Sequence, residues 1–467
     1  MAKVRLGFAP LHRYPFDEKW AVEIRGRVIE VISKKFDFIE LVYPDEKLTK
    51  MGLVWDDEDA EKVIKLFRES RIAGIILGTM TFGDELAGAR IAEEFRNYPI
   101  LVFGTKEPPL LPGGFRRSDS FCGTLSLTSA LYRRKIPFIF AGVVFPEEES
   151  FIKALDAFAR VALIVSEFRG ARVGLVGPRP ERFETVTFNE AKMAELFSQR
   201  VVHESLFKII EEARKLSNDD PEVKAIAEDM RQAADVSNVP EEVLLKMAKL
   251  EVILRKFAKE KNLVGMGIRC WTEIQEYYGI SPCFVMGRLT QSGIMTSCEV
   301  DIYGVLAMLI QYLASLKTTP PHFIDWTIRH PEKPNVFLAW HCGNAPPSLA
   351  HPSCPAKIGY HSVLYRAVGV ERSYGTVDVR LKPGVVTICR LVEYDGEFKM
   401  LITRGKIIDE GGEFRGSWSW VEVNDLEKLY RVLVNEGFVH HASMIHGDYV
   451  EAIKQACQIL GIKTVII

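Results

Sequence analysis

The sequence predicts an α/β protein: lobes built on doubly wound parallel sheets, followed by a mostly β C-terminal domain. Three observations predict it. Short β-branched runs alternate with amphipathic stretches through the first third, the pattern restarts near residue 171, and after Pro320 strands and turns replace long helical periods. Strands alternating with helices argue for parallel pairing, because a crossover helix is what joins parallel neighbours.

In chain order, VRLGFAP opens as a strand, a helix follows near 18–35, and FDFIELVYP is the second strand. A helix near 57–70, the strand AGIILGTM, a helix near 84–96 and the strands PILVFGT and FIFAGVVF complete the first lobe. A helix near 149–167 bridges to the second lobe, which restarts at ARVGLVGPRPERF. From 203 to 260 the chain is highly charged and helix-patterned, with NDDPE and SNVPEE as restart signals, and reads as solvated connecting helices. The final strands are HFIDW, NVFLAWH, TVDVRL, VVTICRLVEY and KMLITRGKII, closed by the helix DYVEAIKQACQILG and the strand KTVII. The expected domains are 1–168, 169–319 and 320–467.

With 47% apolar and 26% charged residues, the 467-residue chain has the mixture of a globular protein. A formal charge of −2 shows no bulk attraction to nucleic acid or anionic lipid, so small ligands are the expected partners. The eight cysteines form no CxxC pair and no dense framework, which reads as reduced thiols in a cytoplasmic protein. No export signal and no run of 18 uncharged apolar residues is present, so the chain is expected to be neither exported nor membrane-spanning. GMGIRC has Cys270 where a GxGxxG pattern needs its third glycine, and no GxxxxGK[ST] occurs, so a nucleotide site has little support.

Eight of the ten histidines lie between 322 and 446. In VFLAWHCGNAPP a core strand ends on Trp340 and His341 and breaks into a loop rich in Gly and Pro, a place where folds put ligand-meeting groups. Taken singly, His341 is more often a packing residue than a metal ligand. Glu299 in TSCEVDIYG fits a capping box with Thr296, and Asp325 in HFIDWT fits a turn start. Strand alternation sends His440 and His441 to opposite faces, so at most one serves a given site. Asp448 with Glu451 reads as a helix cap. Together, Glu299, Asp325, His341 and one histidine of the pair offer two carboxylates and two imidazoles, a set suited to a borderline divalent metal such as Mn²⁺. Cys298 and Cys342, beside Glu299 and His341, keep a mixed thiolate site open.

The runs TSCEVDIYG, FIDW, FLAWHCGNAP and VHHASMIHGD resemble, in the same order, the metal-site segments of the L-fucose isomerase and L-arabinose isomerase superfamily. Spacings of 26, 16 and 100 residues between Glu299, Asp325, His341 and His441 are close to those of arabinose isomerases. The resemblance implies that these four residues hold the metal and selects His441 from the histidine pair. Asp325 matches the fucose type, whereas His341 as a ligand matches the arabinose type, so both patterns are mixed. It also implies a barrel-like C-terminal domain. The loops TMTFGDE and SDSFCGT resemble sugar-meeting loops of the family, which makes Thr81, Asp84 and Asp119 candidate substrate contacts along with Trp340 and Asn344; their plainer reading is helix-starting turns.

The implied activity is a metal-dependent aldose–ketose isomerisation of an open-chain aldopentose or 6-deoxyhexose, with Glu299 and Asp325 moving the proton between C2 and C1. Other metal-dependent carbohydrate enzymes, an aldolase or epimerase, and a non-catalytic sugar-binding regulator are the alternatives. The family also implies a homo-oligomer, hexamer or trimer, whose active site is shared between chains.

Overall fold

The structure is a computed structural model that describes residues 1–467. It contains two compact units, Met1–Glu167 with Glu451–Leu460, and Phe168–Val450 with Gly461–Ile467.

The first unit is a doubly wound α/β lobe. Strands β1 (Val4–Leu11), β2 (Ile39–Val42), β3 (Gly74–Thr79), β4 (Ile100–Thr105) and β5 (Ile139–Val144) form one parallel sheet in the order β2-β1-β3-β4-β5. Every residue of β3 and β4 is buried, as expected of parallel strands covered on both faces. Helices Glu18–Lys35, Asp57–Ser70 and Glu85–Glu94 start on Asp17, Asp56 and Asp84, each of which accepts a first-turn N–H. The core is aromatic: Phe8, Phe67, Phe103, Phe151 and Phe158 are fully buried, and each contributes about 1.5–3 kcal/mol by leaving water. The helix Asp57–Ser70 lies so close to the sheet that a Cβ on Gly7 would meet the Phe67 ring at 2.8 Å.

The second unit contains two sheets. Strands β6 (Arg172–Val176), β7 (Arg200–Glu204), β8 (Gly265–Ile268) and β9 (Met295–Cys298) are parallel in the order β7-β6-β8-β9. The glycines of GMGIRC have a packing reason: a Cβ on Gly265 would stand 2.3 Å from Met295 O, and one on Gly267 would stand 2.7 Å from the Val300 Cα. One expectation fails here. The helix Glu241–Lys261 is not a solvated connector, since Leu244, Met247, Leu250 and Leu254 are buried together with Glu251. Glu251 is tolerated because Arg255 and Arg288 each donate to it at 2.7 Å, so the buried carboxylate is charge-compensated.

Strands β10 (His322–Arg329), β11 (Val336–His341), β12 (Lys357–Tyr360), β13 (Tyr374–Arg380), β14 (Gly384–Tyr394), β15 (Glu397–Ile407), β16 (Ser417–Val423), β17 (His441–His446) and β18 (Lys463–Ile466) make a nine-stranded sheet ordered β12-β13-β16-β11-β10-β17-β14-β15-β18. β15 also pairs with β16 over Gly405–Ile407, so the sheet curls on itself in a barrel-like way. It is not a closed barrel, because β12 and β18 remain edges. The helix Ile302–Ala314, buried along nearly its whole length, contacts β8 and β9 of one sheet and β14 and β17 of the other. Its Gln311 Nε2 donates to Thr387 O at 3.0 Å and Ser443 O at 2.9 Å. No helix is long and apolar enough to cross a membrane.

Candidate active site

The β9-to-helix turn delivers the first carboxylate. Glu299 and Val300 have φ of 55° and 56°, in the left-handed region that β-branched residues avoid, at a cost on the order of 1–3 kcal/mol each. The turn is held by Val300 N donating to Ile268 O (3.3 Å), Asp301 N to Cys298 O (3.0 Å) and Ser297 Oγ to Asp301 O (2.8 Å). The capping-box reading of Thr296 and Glu299 is therefore wrong. Thr296 lies inside β9, and Asp301 is the N-cap, accepting from Gly304 N at 2.9 Å. Glu299 is left free of the helix, and Trp271 Nε1 donates to its Oε1 at 2.9 Å.

Strand register delivers the rest. Asp325 on β10 stands opposite Trp340 on β11 and His441 on β17, and directly opposed residues share a face. His441 is buried, with Nε2 2.9 Å from Glu299 Oε2 and 3.8 Å from Asp325 Oδ1, while its Nδ1 lies 2.8 Å from Asp301 Oδ2. Arg390 pairs with the same Asp301, and both side chains are 1% exposed. Ligand atoms of Asp325, His341 and His441 lie within 4.8 Å of one another, as do those of Glu299, His440 and His441. Phe323 floors the cluster, its ring centroid 4.7 Å from that of His441 and 5.4 Å from that of His341.

The expectation that His440 and His441 diverge does not hold. β17 begins at His441, so His440 is outside the pleat, and the two rings lie 4.0 Å apart. Asp448 Oδ1 accepts from Val450 N at 3.4 Å at the start of the helix Val450–Leu460, as its cap reading required.

The cluster concentrates charge in a buried place. Asp325 Oδ1 is buried with no hydrogen-bond partner, and Glu299 Oε2 has only His441 Nε2, 2.9 Å away, beside it. Burial and the charges of Glu299 and Asp301 outweigh the attraction of His441 and raise Asp325 to about 7. Burial also works against charge on Glu299, but contact with His441 and the Trp271 hydrogen bond hold it below the usual carboxylate range. Burial also works against charge on Asp301, but Arg390 with His441 keeps it well below its ordinary value. Burial alone would push His441 down; contacts with Asp301 and Glu299 and the charge of Asp325 raise it to about 10 instead. His341 is driven far below 6.5 by burial and by His441, so its imidazole is neutral, and its Nδ1 accepts from Cys342 N at 2.8 Å. Two carboxylate oxygens converging on an imidazole nitrogen fit a divalent cation bound through oxygen and nitrogen.

Sulfur does not compete for that role. All eight cysteines are free, and no cysteine belongs to either cluster. A hydrogen bond with Cys270 and burial raise Cys298 well above 9, and burial raises Cys342 likewise.

The remaining candidates divide by unit. Trp340 and Asn344 lie in the second: Trp340 Nε1 donates to Arg415 O at 2.7 Å, its ring stacks near His341, and the buried Asn344 Oδ1 has no partner. Thr81, Asp84 and Asp119 belong to the first. Thr81 Oγ1 pairs with the buried His12 Nδ1 at 2.8 Å, and Asp84 caps Glu85–Glu94 and meets Arg13 at 3.4 Å. Asp119 sits at φ 49° before the helix Ser120–Arg133. The two flagged loops touch there, since a Cβ on Gly123 would fall 1.3 Å from Phe82 O.

Sequence reasoning missed Asp301, Arg390 and Trp271. Asp301 had a signal, a second acid in CEVDIYG ahead of an apolar helix, and so did Arg390, an arginine inside the apolar strand VVTICRLVEY. Trp271 carried none.

Family comparisons agree with the fold. Residues 7–169 match the N-terminal domain of fucose/sulfoquinovose isomerases, and residues 339–467 match the C-terminal domain of L-fucose isomerase. The chain belongs to the L-fucose isomerase superfamily and is a sugar aldose–ketose isomerase, an intramolecular oxidoreductase. It is 26% identical over 463 residues to proteins named sulfoquinovose isomerase from Priestia aryabhattai and Priestia megaterium, covering 98% of each chain. A third, from Alkalicoccus urumqiensis, is 25% identical over 400 residues, 84% of this chain and 85% of its own.

Proposed function

We propose that the chain isomerises an open-chain 6-deoxyhexose to its ketose with Mn²⁺ held by Glu299, Asp325, His341 and His441. The observation that carries this reading is the pair of buried carboxylate oxygens, Glu299 Oε2 and Asp325 Oδ1, converging on His441 Nε2 at 2.9 and 3.8 Å. A divalent cation bound there supplies Lewis-acid polarisation of the C1 and C2 oxygens and offsets the charge that develops as the C2 proton leaves.

The protein's own groups do the rest. Glu299 and Asp325 are the carboxylates that carry the proton between C2 and C1, a contribution of roughly 10²–10⁴-fold for a positioned base. Trp271 fixes Glu299 through Oε1 and leaves Oε2 for the site. Phe323 and the stacked Trp340 and His341 wall the cluster against water, and Asn344 Oδ1 is an acceptor open to a sugar hydroxyl. The end-to-end match to sulfoquinovose isomerases supports a 6-deoxyhexose carrying a sulfonate at C6 as the first substrate to try. We carry the family's homo-oligomer with a shared site as part of the proposal, with Thr81, Asp84 and Asp119 as sugar contacts. The eight free thiols support a reducing, cytoplasmic setting.

The test is chelator-stripped protein with Mn²⁺ restored, assayed for ketose formation from sulfoquinovose, 6-deoxyhexoses and aldopentoses. Cation-dependent turnover highest on sulfoquinovose is expected. Equal turnover in excess chelator would contradict the cation, and turnover confined to an aldopentose would contradict the substrate.

A further inference from the structure

We infer that Asp301, clamped by Arg390, is the positioning residue that makes His441 a cation ligand: it takes the Nδ1 hydrogen and leaves the Nε2 lone pair directed at Glu299 and Asp325. The inference rests on the cation reading above. Asp301 is a built-in acceptor with no freedom to serve otherwise. Its Oδ1 accepts from Gly304 N at 2.9 Å and Arg390 Nη2 at 3.2 Å, and its Oδ2 accepts from Arg390 Nη1 and faces His441 Nδ1 at 2.8 Å. Both oxygens are committed, so Asp301 cannot swing to the cation itself. Its backbone begins the buried helix Ile302–Ala314, which is packed between the two sheets of the unit.

The imidazole is equally constrained. The register of β10 with β17 fixes the His441 backbone opposite Asp325, and Phe323 lies 4.7 Å from the ring centroid. A ring nitrogen is a ligand only when it carries no hydrogen, and the partner of the other nitrogen decides which one that is. Arg390 compensates the carboxylate charge, so Asp301 stays an acceptor in the absence of water. The competing account makes Asp301 a helix cap with a buried ion pair and nothing more.

Asp301→Asn separates the two accounts. Asn caps as well as Asp, so the helix start survives, but its amide offers Nδ1 a donor and favours hydrogen on Nε2. Where the single variant folds poorly, Asp301→Asn combined with Arg390→Gln removes the uncompensated guanidinium. Mn²⁺ affinity, measured by competition with a chelator, is expected to fall about 10–100-fold in either variant. In ¹⁵N-histidine spectra of wild type loaded with diamagnetic Zn²⁺, His441 is expected to carry hydrogen on Nδ1 and none on Nε2. Wild-type affinity in the Asp301 variants, or hydrogen on Nε2 in the loaded wild type, overturns the inference. His441→Ala is the reference. If it loses Mn²⁺ while the Asp301 variants keep it, only the inference fails; if it binds as tightly as wild type, the cation reading fails and takes the inference with it.

Discussion

Buried polar side chains gather in both units, and the two gatherings differ in one respect. In the first unit Thr79 Oγ1 pairs with Thr124 Oγ1 at 2.7 Å and Ser120 Oγ at 3.0 Å, Ser120 Oγ donates to Thr79 O at 2.6 Å, and Thr105 N donates to Ser120 Oγ at 2.8 Å. Every member is satisfied. In the second unit Asp325 Oδ1 is buried with no partner, and Glu299 Oε2 meets only His441 Nε2. A closed network rigidifies a core, whereas acceptors left open in a dry pocket await a cation or substrate. Burial of polar groups does not by itself mark a site; the missing partners do.

The largest effect should come from the open cluster. Glu299→Gln and His441→Ala are each expected to cut kcat/KM by roughly 10³-fold or more, within the range of a lost base or ligand, and to abolish stoichiometric Mn²⁺ binding. Metal analysis and turnover of the same preparations check this, and His440→Ala, whose ring has no anchor comparable to Asp301, should lose less. Normal turnover with full metal in the first two variants would erase the distinction between the networks.

The closed cluster should respond in stability alone. Thr79→Val removes a hydroxyl with two hydroxyl partners and should cost about 1–3 kcal/mol, read from the denaturation midpoint, with Mn²⁺ affinity unchanged. A shift in Mn²⁺ affinity would mean that the two networks are coupled.

The smallest effect is expected at sulfur. Cys298→Ser and Cys342→Ser should keep their metal, because both thiols are neutral and lie outside the clusters. Metal loss in both would bring back a thiolate site.

Much of this was legible in sequence where chemistry and periodicity coincide. The helices expected near 18–35, 57–70 and 84–96 appear as Glu18–Lys35, Asp57–Ser70 and Glu85–Glu94, since each pairs an amphipathic pattern with an acidic cap. The motifs around Glu299, Asp325, His341 and His441 were visible, and the fold brings Asp325 and His341 to one side of His441 and Glu299 against its Nε2. What escaped depends on the third dimension. The role of Asp301 is set by an arginine 89 residues away, and a local cap rule placed the helix start at Thr296, with Glu299 at N3, instead. The strand-alternation rule failed at His440 because it assumed a pleat that starts one residue later. The burial of Glu241–Lys261 was hidden by its charges, which include Glu251 at the centre of a buried ion cluster.

The most direct measurement of the central claim is anomalous scattering from crystals equilibrated with Mn²⁺. The account predicts one peak per chain, bounded by Glu299 Oε2, Asp325 Oδ1 and His441 Nε2, and its disappearance in His441→Ala. A Mn²⁺ peak held elsewhere with this cluster empty, or no peak at saturating Mn²⁺, would contradict it.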